Sequence, residues 1–236
     1  MSDQSDQDQP EEPTPAQRAR SVLAAATSLT VTTPGHVIEL IGLHSVDETG
    51  QLTLEDPTGG HVTAELAATS GQRLGAVVEL TDVAPVAVRD RVRARVTLEG
   101  RLTSRNQDRL LFRPTAVALE TADGTTHLEF DEFTAAEPDP LTAYEAKLLT
   151  HLDTAHTETV TVLSRLAPPR LLLSVTRVRA VRLDQYGLVL RLEHAHTHED
   201  VRLLFAGPAR TPNEAAAQIG LLSARAATHC ARRTRR

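Results

Sequence analysis

The stretch Ala135–Pro140, AAEPDP, divides the chain. Its two prolines lack a backbone donor and fix φ, and Glu137 and Asp139 add charge, so neither a helix nor a strand continues through it. Ahead of it apolar residues alternate with a period of two, and behind it they recur first at helical spacing. These six residues therefore decide the fold class: α+β, with a β-rich unit over 20–135, a linker at 136–140 and a second unit over 141–230.

Working back towards the N-terminus, QRARSVLAAATS from Gln17 reads as a short helix. Then SLTVTT, VIELIGLHSV, QLTLED, GAVVELTDV, DRVRARVTLEGRL, LLFRPTAVALE and HLEFDEF read as strands, separated by the turn signals PGH, DETG, NQD and ADG. One helix, HVTAELAAT, interrupts them. Six or seven strands with one or two small helices predict an antiparallel barrel or sandwich.

Behind the linker, Leu148, Leu149, Leu152, His156, Val160 and Leu163 form a stripe on a helix spanning 141–166, stopped by Pro168 and Pro169. Three strands follow, LLLSVTRVRAVRL, LVLRLEH and VRLLF, joined across DQYG and HTHED. A last helix opens with Thr211 as N-cap, Pro212 at the first position and Glu214 closing a capping box. The expected order of the second unit is α-β-β-β-α.

Composition narrows the partners. With 40% hydrophobic and 24% charged residues among 236, the chain is of ordinary globular character. Aromatic residues make up 3% and Trp is absent, which removes the stacking platforms that single-stranded nucleic acid requires. The net charge is −6, carried unevenly: residues 1–19 begin as an acidic tail expected to be solvated, and 231–236, ARRTRR, as a basic one. Lys147 is the only lysine and Cys230 the only cysteine, so no internal disulfide forms. No run approaches the roughly 18 apolar residues of a membrane span, and no secretory pattern opens the chain, so a cytoplasmic protein without membrane or nucleic-acid partners is expected.

The histidines are the chemical signal. In LLTHLDTAHTETV (Leu148–Val160), His151 and His156 stand five residues apart; on a continuous helix they point about 140° apart and do not chelate one ion as an i, i+4 pair does. His156 falls on the apolar stripe and reads as a hydrogen-bonded packing residue. In EHAHTHED, His194, His196 and His198 would share one face of a strand, but a hairpin turn is expected there, which favours a polar turn over a metal site.

Two resemblances bear on these residues. Residues 141–230 are similar to the small C-terminal domain of haem-utilisation (HugZ-type) proteins: Glu145, Leu148, Leu149, His151, Leu152 and His156 fit E-x-x-[LM]-[LI]-x-H-[ML]-N-x-D-H in register. Asp153 and Ala155 depart from it, and Asp184, Gly187, Arg202, Phe205 and the late SARA add matches. Through GLHSVDETGQLTLEDPTGGHVTAEL and RARVTLEG, the first unit resembles the pyridoxamine-phosphate-oxidase-like split β-barrel.

That resemblance implies an N-terminal antiparallel split barrel and a homodimer with the cofactor groove between subunits. Where flavin-binding members place Arg and Lys on the FMN phosphate, this chain has His61 and Val62; the substrate-phosphate Lys is matched by His44 and a flavin-contacting Gln by Arg95. Weak or no FMN binding is the implication. In its place, His44 and His61 would face one groove beside Arg91, Arg93 and Arg95, and imidazole ligates iron while guanidinium suits propionates.

The function implied is binding of haem or a related tetrapyrrole for storage, delivery or oxidative breakdown. Catalysis is left open; an enzyme of this kind would be a haem-degrading oxygenase or a flavin oxidoreductase. Two alternatives stand beside it: an interaction or regulatory protein that has lost its cofactor, and a flavin-dependent oxidoreductase. For the individual residues the alternatives are surface histidines and a solvated arginine row.

Overall fold

A computed structural model describes residues 12–56, 60–106 and 109–233, with side chains to residue 228. The acidic start of the chain, the NQD turn beyond Asn106 and the side chain of Cys230 lie outside the described residues. Two compact units form: residues 14–83 with 92–139, and residues 84–91 with those from 140 onward.

The first unit opens with α1 (Pro15–Ala25). Thr14 caps it, its hydroxyl accepting the Gln17 N–H at 3.1 Å, and Pro15 sits at the first position. The helix thus starts ahead of the expected boundary, and Ala16 and Ala19 are buried where a solvated tail through residue 19 was expected. β1 (Ser28–Thr32), β2 (Val37–Ile41), β3 (His44–Val46), β4 (Leu52–Glu55), α2 (His61–Ala68), β5 (Leu74–Val83), β6 (Val92–Asn106), β7 (Arg109–Thr121) and β8 (Gly124–Leu128) follow. The strand path is β2-β1-β5-β6-β7-β4-β3, every pairing antiparallel, with β8 added on β7.

The two ends of that path, β2 and β3, are separated in sequence only by Gly42 and Leu43. Three Cα steps span at most about 11 Å, so the sheet curls until its edges nearly meet without pairing. That is a split β-barrel, as the sequence implies. Alternate residues point inward: Leu29 and Val31, Leu52 and Leu54, Val78 and Leu80, Val96 and Leu98, Leu110 and Phe112 form one core with Leu23, Val62 and Leu66 from the helices. The long strands bend at bulges, one at Glu99/Gly100. A Cβ on Gly100 would stand 2.2 Å from the Arg113 carbonyl oxygen, so only glycine fits where β6 presses on β7.

HLEFDEF does not form the expected single strand. Leu128 ends β8, and Phe130–Ala135 is a helix, α3, with Asp131 and Glu132 in its first turn, where the helix dipole favours carboxylates. Phe133 is fully buried on it.

In the second unit α4 (Thr142–Ala155), α5 (Thr157–Leu163), β9 (Arg177–Asp184), β10 (Gly187–Glu193), β11 (His198–Leu204) and α6 (Pro212–Arg233) give the α-β-β-β-α order, with the N-terminal helix in two pieces. Strand LLLSVTRVRAVRL is shorter than expected. Pro168 and Pro169 lead into a 3₁₀ turn over Pro169–Leu172, and Ser174 takes φ 61°, so pairing starts only at Arg177. α6 starts at Pro212 behind Thr211, as expected, with the Thr211 hydroxyl accepting the Glu214 N–H, but the Glu214 carboxylate reaches the Arg210 N–H at 2.7 Å, one residue ahead of the Thr211 N–H that a capping box takes.

β10 is buried along its whole length between β9 and β11. Two charged residues lie on it. The Arg191 guanidinium donates to both Asp200 oxygens (2.7 and 2.8 Å) and to the Arg89 and Asp90 carbonyls (2.6 Å each), so its burial leaves no donor group without an acceptor nearby. Glu193 accepts from the Arg177 guanidinium and, at 2.7 Å, from the Arg89 N–H. The hydrogen bond from Arg177 outweighs burial and holds the Glu193 carboxyl below its usual range. Residues 84–91 are thereby fastened into this unit, with Val86 in its apolar core.

Candidate functional site

The sequence-selected histidines behave differently from one another. His44, on edge strand β3, is engaged by the fold: its Nε2 lies 3.0 Å from the Ala26 carbonyl oxygen, and its Nδ1 is buried without a hydrogen-bond partner. Donating Nε2–H to a carbonyl leaves no lone pair on that nitrogen for a metal. His61 is exposed at the first position of α2, whereas Val62, the residue beside it, is fully buried in the barrel core. Val62 therefore faces away from any ligand, and the start of α2 carries no fixed positive charge.

His61 has a neighbour that strand and turn signals do not reveal. The ring of His36, from the PGH turn before β2, lies with its centroid 5.7 Å from that of His61. The His36 Nδ1 is 2.7 Å from Glu65 Oε2, one helical turn beyond His61 on α2. Glu65 also accepts the Thr33 hydroxyl (2.7 Å) and the Gly35 N–H (2.9 Å). Burial pushes the Glu65 carboxyl up, but the hydrogen bonds from His36, Thr33 and Gly35 outweigh it and hold it below its usual range. The contact with the carboxylate fixes the His36 ring through Nδ1, and in the neutral imidazole Nε2 then carries the lone pair, the arrangement that prepares an imidazole for a metal. Thr33 and Pro34 also line an open cleft of about 540 Å³ with Gly75, Glu99, Gly100 and Arg101.

The expected arginine row is not one strand face. Arg91 precedes β6, belongs to the segment 84–91 and donates twice to the Ala84 carbonyl (3.1 and 2.8 Å). Arg93 pairs bidentately with Asp82 (3.0 and 2.6 Å) and is nearly buried. Arg95 is half exposed, with Glu120 at 3.3 Å. Arg93 is thereby closed off, while Arg95 and, despite its bonds to Ala84, Arg91 remain exposed.

In the second unit, the helix expected to run through LLTHLDTAHTETV breaks. His156 has φ −133° and ψ 34°, between α4 and α5. The hydroxyls of Thr154 and Thr157 donate back to the Thr150 and Asp153 carbonyls (2.9 Å each), a contact that bends helices. The break overturns the 140° separation and the reading of His156 as a packed residue: both rings are exposed, T-shaped, with their Nε2 atoms 3.2 Å apart. The other motif residues hold the fold. Glu145 accepts the Leu183 N–H at 3.0 Å, Asp153 pairs with Arg179, and Asp184 pairs bidentately with Arg202.

His194 and His196 lie in a turn closed by the His194 N–H on the Thr197 carbonyl (2.9 Å), while His198 stands on β11 beside Asp90. Among the described residues no helix is long and apolar enough to cross a membrane.

No family model matches the chain, and no curated protein matches it significantly. Solved structures are similar to it to different degrees. A heme binding protein from Mycobacterium smegmatis superimposes with a TM-score of 0.61 at 19% identity, over 92% of this chain and 99% of its own. A protein of unknown function from Agrobacterium tumefaciens str. C58 follows at a TM-score of 0.32 and 17% identity, over 87% of this chain and 94% of its own. At these identities the likeness to the mycobacterial protein shows that this chain has the α+β split-barrel fold.

Proposed function

We propose that this protein binds haem or a related tetrapyrrole through its split barrel, with the iron held by an imidazole of the His36–His61 pair. The observation that carries the proposal is the Glu65–His36 contact, which engages Nδ1 and orients the ring beside a second histidine, so that Nε2 is the nitrogen left for a ligand in the neutral imidazole. The fold-level likeness to a heme binding protein along nearly its whole length supports the same class of ligand.

The donor set suits haem better than a flavin phosphate. Neutral imidazole ligates iron, and Arg101, which lines the cleft shared with Thr33 and Pro34, supplies a guanidinium for a carboxylate group. A flavin would need fixed cations at the start of α2, where His61 and the buried Val62 stand.

A homodimer belongs to the same proposal. Val37 and Ile41, 70% and 69% exposed, flank Glu39 on the outer face of edge strand β2, apolar side chains that a second copy would cover. The purified protein, titrated separately with haem and with FMN, should develop a Soret band saturating near one haem per chain and retain no flavin through dialysis. A yellow protein that keeps flavin, or free-haem spectra throughout the titration, would overturn the proposal.

A further inference from the structure

We propose that His151 and His156 form a binding site for a late first-row divalent cation, Zn²⁺, Ni²⁺ or Cu²⁺, at the edge of an apolar cleft in the second unit. Their Nε2 atoms stand 3.2 Å apart. Two imidazole nitrogens each about 2.0–2.1 Å from a common ion subtend roughly 100° at that separation, between the angles of tetrahedral and of cis octahedral coordination.

The local chemistry favours an exchange of proton for metal. In the free pair one nitrogen must donate and the other accept, because a neutral imidazole has one of each. A cation entering between them takes both lone pairs, and the displaced proton moves to the Nδ1 of its own ring. Among the described residues neither ring makes a further hydrogen bond, and both are exposed, so the ion's remaining positions open to water.

Beside the pair lies a cleft of about 370 Å³ lined by Leu148, Leu152, Leu183, Ala215 and Ile219, with Thr159 and Ser223 as its hydroxyls. A molecule with an apolar body and one metal-donor group would complete such a site. The helix break at His156 is what assembles it, since an unbroken helix separates these side chains. The site shares no residue with the proposed haem site and stands or falls independently.

Calorimetric titration of the untagged protein at pH 7.5 with zinc, nickel and copper(II) chlorides tests this. One saturable event near 1:1 is expected, tightest for Cu²⁺. It should weaken at least tenfold in His151→Ala and in His156→Ala, and persist in His196→Ala, which changes an exposed turn histidine. Circular dichroism checks folding, and His151→Gln and His156→Gln replace any alanine variant that loses helix signal. Absence of saturable binding in the wild type, or wild-type affinity in the folded His151 and His156 variants, would overturn the site.

Discussion

The barrel and the second unit each bring two histidines together, and they hold them in opposite ways. In the barrel, Glu65 grips His36 at Nδ1 while also taking the Thr33 hydroxyl and the Gly35 N–H, so the pair is part of how the turn before β2 is built. In the second unit, His151 and His156 meet each other through Nε2, exposed, at a break in a helix. The first pair is oriented by a carboxylate, with one nitrogen left for a ligand. The second has both converging nitrogens engaged with each other until something displaces the proton. The same residue type is thus built into a turn by a carboxylate in one place and left exposed at a helix break in the other.

That contrast can be broken most sharply at the carboxylate. Glu65→Ala leaves the His36 ring, the Thr33 hydroxyl and the Gly35 N–H without their acceptor, and should lower stability by about 2–4 kcal/mol in urea unfolding, the cost of charge-assisted hydrogen bonds lost in a half-buried place. An effect below about 0.5 kcal/mol would mean that the barrel pair is no better anchored than the exposed one.

Acid should separate the regions next. A carboxyl whose folded pKa is depressed contributes stability that is fully present above its unfolded value and lost as pH falls through its folded value. Glu65 and Glu193 both behave this way, so melting temperature should hold from pH 7 to about 5 and fall below about 4. In Glu65→Gln the fall should be shallower, because one of the three depressed carboxyls, Asp47, Glu65 and Glu193, no longer titrates. An unchanged pH profile would contradict the role assigned to Glu65.

The smallest effect is expected at the second pair. His156→Ala removes an exposed ring and replaces it with the best helix former, so stability should change by less than about 1 kcal/mol. A loss of several kcal/mol would restore the reading of His156 as a packing residue.

The strands of the barrel were legible because buried and exposed residues alternate along them, as in VIELI and RVTLEG, and a period of two survives any tertiary context. The helix in HLEFDEF and the break at His156 were not, because hydrophobic spacing carries no record of where a dipole or a threonine hydroxyl ends a run. At the site, His61 was legible through its place at the start of α2. His36 was not: its significance comes from Glu65, twenty-nine positions away and brought near only by the fold. PGH announces a turn and nothing about the carboxylate that holds it. The arginines mislead for a similar reason, since alternation predicts a shared face but not that Asp82 and the Ala84 carbonyl already occupy two of the three.

The central claim is that the barrel pair, and not His44, meets the iron, and the Soret band of haem-loaded variants tests it most directly. In His36→Ala the band should shift or vanish, in His61→Ala haem affinity should drop, and in His44→Ala the folded protein should keep the wild-type spectrum while melting at a lower temperature. Wild-type spectra and affinities in both His36→Ala and His61→Ala, with the loss found in His44→Ala instead, would contradict the account.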